Sequence, residues 1–160
     1  MTNELHDSDE NTGTMDVLER HQFDTSKLQE YMHENVNGFE GKIKLEEFKG
    51  GQSNPTYKVI TPNQSYVLRR KPPGKLLKSA HAVDREYKVI TALNKTEVPV
   101  PKSYALCEDE DIVGTSFYIM EFKDGRVLWD PAMESSDIEE ANGVYRLSLI
   151  HISEPTRPSS

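Results

Sequence analysis

Cysteine is almost missing from this sequence. Cys107 stands alone among 160 residues, so no disulfide can close within one copy of the chain. No multi-cysteine metal site can be built either, and a single thiol fits a reducing, intracellular compartment. Long apolar runs are also missing. None approaches the roughly 20 residues that a membrane-crossing helix needs. An excess of basic charge is missing too. The net charge is −8, and it is unevenly spread: residues 1–19 hold six acids and no Lys or Arg, while the remaining 141 residues hold 21 acids against 19 bases. The part able to fold is near neutral and offers no basic footprint for nucleic acid. The N-terminus has neither a secretory apolar core nor the Arg-rich, acid-poor character of an organelle presequence. Pro158-Ser159-Ser160 is not a peroxisomal tripeptide.

Residues 1–22 are polar and acidic, the composition of a disordered tail. A short helix is predicted next: Asp24 can cap it, Leu28, Tyr31, Met32 and Val36 share one face, and Gly38 can end it. Three alternating runs follow, Lys42–Phe48, Thr56–Thr61 and Tyr66–Lys71, joined by short turns, as in an antiparallel meander. A helix capped by Ser79 is predicted to run to about Asn94. Two further strands are predicted at Ser103–Cys107 and Ser116–Phe122, and Ser136–Glu139 has the spacing of a capping box. The expected fold is α+β: a mostly antiparallel five-stranded sheet with one packed helix, followed by the start of a second lobe.

The stretch Gly50-Gly51-Gln52-Ser53-Asn54-Pro55 between the first two strands is rich in turn residues. Most such loops only reverse the chain. Some cradle phosphate, because glycine lets backbone N–H groups converge and a hydroxyl such as that of Ser53 can add a donor. Strand alternation puts Val67 and Arg69 on one face of the third strand, and Leu68 and Arg70 on the other. Arg70 and Lys71 read as a solvated strand end. Glu86 falls within the apolar face formed by Ala82, Val83, Val89, Ile90 and Leu93. A carboxylate there calls for a cation, and Arg69 on the adjoining strand is the candidate.

The order of these features carries more than any one of them. A glycine loop, a cation on the third strand, a helix with an inward Glu and two further strands make the small lobe of a protein-kinase-like fold. The segments "GQSNPTY", "YVLRRKPPGKLLKSAHAVDREYKVITAL", "VPVPK" and "FYIMEFKDGRV" resemble the aminoglycoside phosphotransferase-like (choline-kinase-like) family. Within it they are most similar to the kinase-like N-terminal domain of the acyl-CoA dehydrogenase family members ten and eleven. The resemblance covers about residues 24–146. It implies transfer of phosphate from ATP to a small-molecule hydroxyl, here that of a 4-hydroxyacyl-CoA. It places Gly51, Ser53 and Asn54 on the phosphate loop, Arg69 and Glu86 as the ion pair behind it, and Glu121 and Phe122 at the hinge that meets the adenine edge. ATP and Mg²⁺ are the expected cofactors of the complete domain, and FAD only of a dehydrogenase domain further along. The compartment implied for the parent protein is peroxisomal or mitochondrial.

The family's catalytic Asp, metal-binding Asn and second metal-binding Asp have no counterpart in this sequence. In "LIHISEPTR", Ser153 stands where an Asp would follow His151 by two. No catalytic and no metal-ligating residue is therefore assigned. Residues 23–146 are read as a partial phosphotransferase domain. Residues 147–160 are read as a non-native or unstructured tail, since "LSLIHISEPTRPSS" resembles a translated sequencing adaptor. The alternative is a non-enzymatic, pseudokinase-like binding or interaction module.

Overall fold

The structure is a computed structural model. It describes residues 13–49, 54–74 and 82–125, together with positions 138, 139 and 143. The chain divides into two compact units, Met1–Asp124 and Gly125–Ser160. The start of the second lobe and the tail at 147–160 lie almost wholly outside the described residues. Of the helix expected at the capping box, only Ile138, Glu139 and Gly143 are described, and they are helical.

The first unit is built on a sheet of six strands, all pairs antiparallel. The strands are β1 (Thr14–Met15), β2 (Lys44–Phe48), β3 (Thr56–Ile60), β4 (Ser65–Arg70), β5 (Ser103–Cys107) and β6 (Phe117–Glu121). Their spatial order is β1-β2-β3-β4-β6-β5. The helices are α1 (Thr25–Asn35), α2 (Val83–Leu93) and the single turn α3 (Glu110–Val113). Among the described residues no helix is long and apolar enough to cross a membrane.

Alternation along β3, β4 and β6 sends one set of side chains to each face. Tyr57, Val59, Tyr66, Leu68, Phe117 and Ile119 pack on one face with Leu28 and Met32 of α1, all essentially without solvent exposure. This is the main core. α1 begins where Asp24 accepts a hydrogen bond from the Ser26 N–H at 2.9 Å. It is fixed to the sheet by Tyr31, whose ring meets Phe117 edge-on and whose hydroxyl donates to Leu106 O. The opposite face carries Val67, Arg69, Tyr118 and Met120, and α2 lies over it.

Four sequence expectations need correction. The sheet has six strands, not five, because Thr14 and Met15 add β1 to the edge of β2. Residues 13–22 are accordingly not a free tail. The buried Glu47 carboxylate accepts from Leu18 N–H at 3.0 Å and pairs with His21 Nδ1 at 2.6 Å, and Thr14 Oγ1 donates to Glu46 at 2.6 Å. Two helices pack on the sheet rather than one, and α1 covers more of the core than α2. The N-cap of α2 is Ala82, without a side-chain cap, and Ser79 lies outside the described residues.

Arg70 is the fourth correction. It is 3% exposed, not a solvated strand end. Each of its three nitrogens donates: Nε to Tyr57 Oη at 2.9 Å, one terminal nitrogen to Val113 O at 2.7 Å, the other to His21 O at 2.9 Å. The guanidinium also lies over Phe23 and Tyr57, 5.2 and 5.5 Å from the ring centroids. A buried cation is tolerated only where its donors are met in this way. Gly114 makes one of these bonds possible. It ends α3 in the left-handed region at φ +91°, turning the chain so that Val113 O is presented to Arg70.

Candidate nucleotide-binding site

The second sheet face gathers the charged residues. Arg69 on β4 stands directly across from Tyr118 on β6, so both side chains point toward α2. Glu86 comes down from the first turn of that helix. Arg69 Nε lies 3.0 Å from Glu86 Oε2, with the two side chains 34% and 36% exposed. The Nε–H makes no aligned hydrogen bond, so this is a contact of charges. Tyr118 Oη donates to the same Oε2 at 3.0 Å. Asn54, 4% exposed, reaches Oε1 through its side-chain N–H at 3.5 Å, and its own Oδ1 has no partner among the described residues. Burial, and then the charge of Glu86, hold the Tyr118 phenol above its ordinary range, so it stays a donor.

The same face continues toward β2. Lys58 pairs across from Val67, and Val67 from Met120. Phe48, the last residue of β2, stacks on Phe122 at 6.2 Å between centroids and 21° between planes. The Lys58 ammonium sits 4.3 Å from the Phe122 ring centroid. An open groove of about 550 Å³ runs between α2 and β6, lined by Arg69, Glu86, Val89, Ile90, Tyr118 and Met120 among others. Val89 is 50% exposed there, so the apolar face of α2 is only partly covered.

Of the residues singled out in the sequence, the structure brings Asn54, Arg69 and Glu86 together. Gly51 and Ser53 lie outside the described residues. Glu121 closes β6, where its N–H donates to Lys102 O at 2.7 Å and its carboxylate pairs with Lys123 at 2.9 Å. That N–H is therefore spent on the chain itself. Phe122 follows and turns its ring to Phe48. Sequence reasoning missed Tyr118, Phe48 and Lys58. Alternation along "FYIMEF" would have put Tyr118, Met120 and Phe122 on one face, but not which strand that face adjoins.

The sequence profile described as the phosphotransferase enzyme family matches residues 44–146. This chain belongs to that family. The match spans the glycine loop, the Arg69–Glu86 pair and both strands that follow it. A solved structure from Ralstonia eutropha, described as a candidate aminoglycoside phosphotransferase, is 49% identical, with a TM-score of 0.66 over 78% of this chain and 35% of its own. The mixed α/β, antiparallel-sheet architecture described above is therefore similar to part of an aminoglycoside phosphotransferase (kinase-like) fold. Among curated relatives, "Probable acyl-CoA dehydrogenase IBR3" of Arabidopsis thaliana is 48% identical over 138 residues, which are 81% of this chain and 17% of that protein. "Acyl-CoA dehydrogenase family member 11" of Homo sapiens is 39% identical over 134 residues, again 81% and 17%. The chain thus spans about one sixth of the length of these relatives.

Proposed function

We propose that this chain is the ATP-binding part of a small-molecule phosphotransferase, whose parent protein joins a 4-hydroxyacyl-CoA kinase to an acyl-CoA dehydrogenase. The observation that carries the reading is the Arg69–Glu86 pair, set on the sheet face next to the strand that follows the glycine loop. A cation held by a carboxylate and flanked by loop amides is the arrangement that positions nucleotide phosphates. The buried Oδ1 of Asn54, without a partner among the described residues, fits a site that still expects polar company. Phe48 and Phe122 offer aromatic surface for a purine, with Lys58 beside them.

ATP, when bound, supplies the phosphoryl group to be transferred. The residues of this chain orient it: Arg69 offers its charge to the phosphates, Glu86 keeps Arg69 in place, and Asn54 steadies Glu86 from the other carboxylate oxygen. Among the described residues no group of three His, Cys, Asp or Glu could hold a metal ion. Mg²⁺ would thus be held by carboxylates from outside them. Phosphoryl transfer is catalysed mainly by positioning and charge stabilisation, so the small lobe alone should bind nucleotide weakly and transfer nothing. FAD would belong to the dehydrogenase part of the parent.

The test is calorimetric titration of the 160-residue chain with ATP, alongside an ATP-consumption assay with Mg²⁺ and hydroxyacyl-CoA acceptors. Weak ATP binding, reduced about tenfold or more by Arg69→Ala, with no turnover, is the expected result. Binding unaffected by Arg69→Ala would remove the nucleotide assignment. Acceptor-dependent turnover would show that the catalytic set is already complete here.

A further inference from the structure

The Arg69–Glu86 contact is too exposed to hold a helix by itself. With each side chain about one-third exposed, an ion pair contributes on the order of 1 kcal/mol or less. Apolar packing adds little, since Val83 is the one buried residue of α2 and Val89 is half exposed. Yet Glu86 is gripped. Tyr118, 2% exposed and with its ring 6.0 Å from that of Tyr87, brings a fixed hydroxyl to Oε2. It is rooted in β6, directly opposite Arg69.

Two groups therefore converge on one oxygen. Tyr118 makes the aligned hydrogen bond, and Arg69 approaches equally closely without one. The consequence for Arg69 is specific. Its Nε is buried against Glu86, so the exposed third of the side chain lies on its other atoms. A guanidinium held at Nε keeps its terminal donors for another anion, and its planar fork suits phosphate oxygens.

We propose that Tyr118 is a positioning residue: by holding Glu86 Oε2 it fixes α2 on the sheet and so keeps Arg69 in place, with its terminal donors left for the phosphates of the nucleotide. The proposal rests on the reading of this face as a nucleotide site. In the absence of the hydroxyl, Glu86 would be held less firmly and Arg69 would lose its fixed place beside the phosphates. The base would be unaffected, because Phe48 and Phe122 do not depend on this contact.

Tyr118→Phe removes one oxygen and keeps the ring, so the fold should survive. Calorimetry on the 160-residue chain would use three probes: ATP, adenosine for the base alone, and inorganic tripolyphosphate for the phosphates alone. Tyr118→Phe is expected to weaken ATP and tripolyphosphate by about fivefold to tenfold, the effect of one misdirected charge-assisted hydrogen bond. Adenosine should bind as to the wild type, and the melting temperature should move by only a few degrees. Equal weakening of all three probes would make Tyr118 a packing residue and overturn the proposal. Unchanged binding of all three would overturn it while leaving the nucleotide site standing. A wild-type chain that binds neither ATP nor tripolyphosphate would overturn the nucleotide reading, and this proposal with it.

Discussion

Arg69 and Arg70 are adjacent in sequence and opposite in consequence, which makes them a matched pair for mutation. Arg70→Ala would strand Val113 O, take one of two donors from His21 O and the donor to Tyr57 Oη, whose own hydroxyl bond to His21 O remains, and would leave a void beneath Phe23. Each hydrogen bond to a charged donor contributes about 1.5–3 kcal/mol, and desolvation of the guanidinium offsets several kcal/mol of their sum. The net cost of truncation should be about 3 kcal/mol or more. That is a large share of the 5–15 kcal/mol typical of a whole domain. It corresponds to a fall of roughly 10 °C in melting temperature for a unit of this size. Arg69→Ala removes a contact that is one-third exposed on both sides and should cost about 1 kcal/mol or less. Urea unfolding followed by circular dichroism, with both variants and the wild type in parallel, measures the contrast. Equal stability of Arg70→Ala and the wild type would refute the account of Arg70 as the tie between β3, the turn at His21 and the end of α3. A loss at Arg69 as large as that at Arg70 would refute the division of labour between the two.

Three further outcomes are expected. Burial raises the phenol of Tyr57 to about 12, and those of Tyr31 and Tyr118 higher still. The unfolded chain therefore loses tyrosine protons near the ordinary value of 10 while the folded chain keeps them. Stability should fall as pH rises above about 10, seen as a dropping melting temperature ahead of phenolate absorbance in the folded protein. Glu47→Ala should release the segment from Thr14 to His21 from β2, with a loss of about 2–3 kcal/mol and new proteolytic cleavage near Leu18. A cleavage pattern like that of the wild type would count against the anchoring role. Cys107 is buried and its thiol is pushed up, chiefly by that burial. Iodoacetamide at pH 8 should leave it unmodified in the folded chain and label it once urea is added.

Local signals in the sequence were enough to place β2, β3, β4 and α2, since each rests on alternation or helical spacing within a few residues. The ion pair was legible for the same reason: a carboxylate within an apolar helix face asks for a cation, and Arg69 was the one on the right face of the next strand. Arg70 was misread because its partners are 49 residues before it and 43 after it, at His21 and Val113. Nothing near it in sequence announces them. Tyr118 was invisible because β4 pairs with β6 rather than with β5, and register between strands some 50 residues apart is set by the packed core. β1 was missed because six acids with no base read as solvated chain, whereas the contacts that order it come from the side chains of Glu46 and Glu47 on β2.

That two-residue strand has a consequence for how the molecule behaves in a crowded solution. A sheet edge is a template for another copy's backbone, and proteins that stay apart cover it or charge it. Thr14 and Met15 occupy the outer side of β2 at Phe48 and Glu47, while Lys44 and Glu46 pair beside them. A chain shortened to begin at residue 23 would lose that cover and the buried partner of Glu47 together. Its first symptom would be self-association through the bared strand, visible by light scattering at concentrations where the longer chain remains monodisperse.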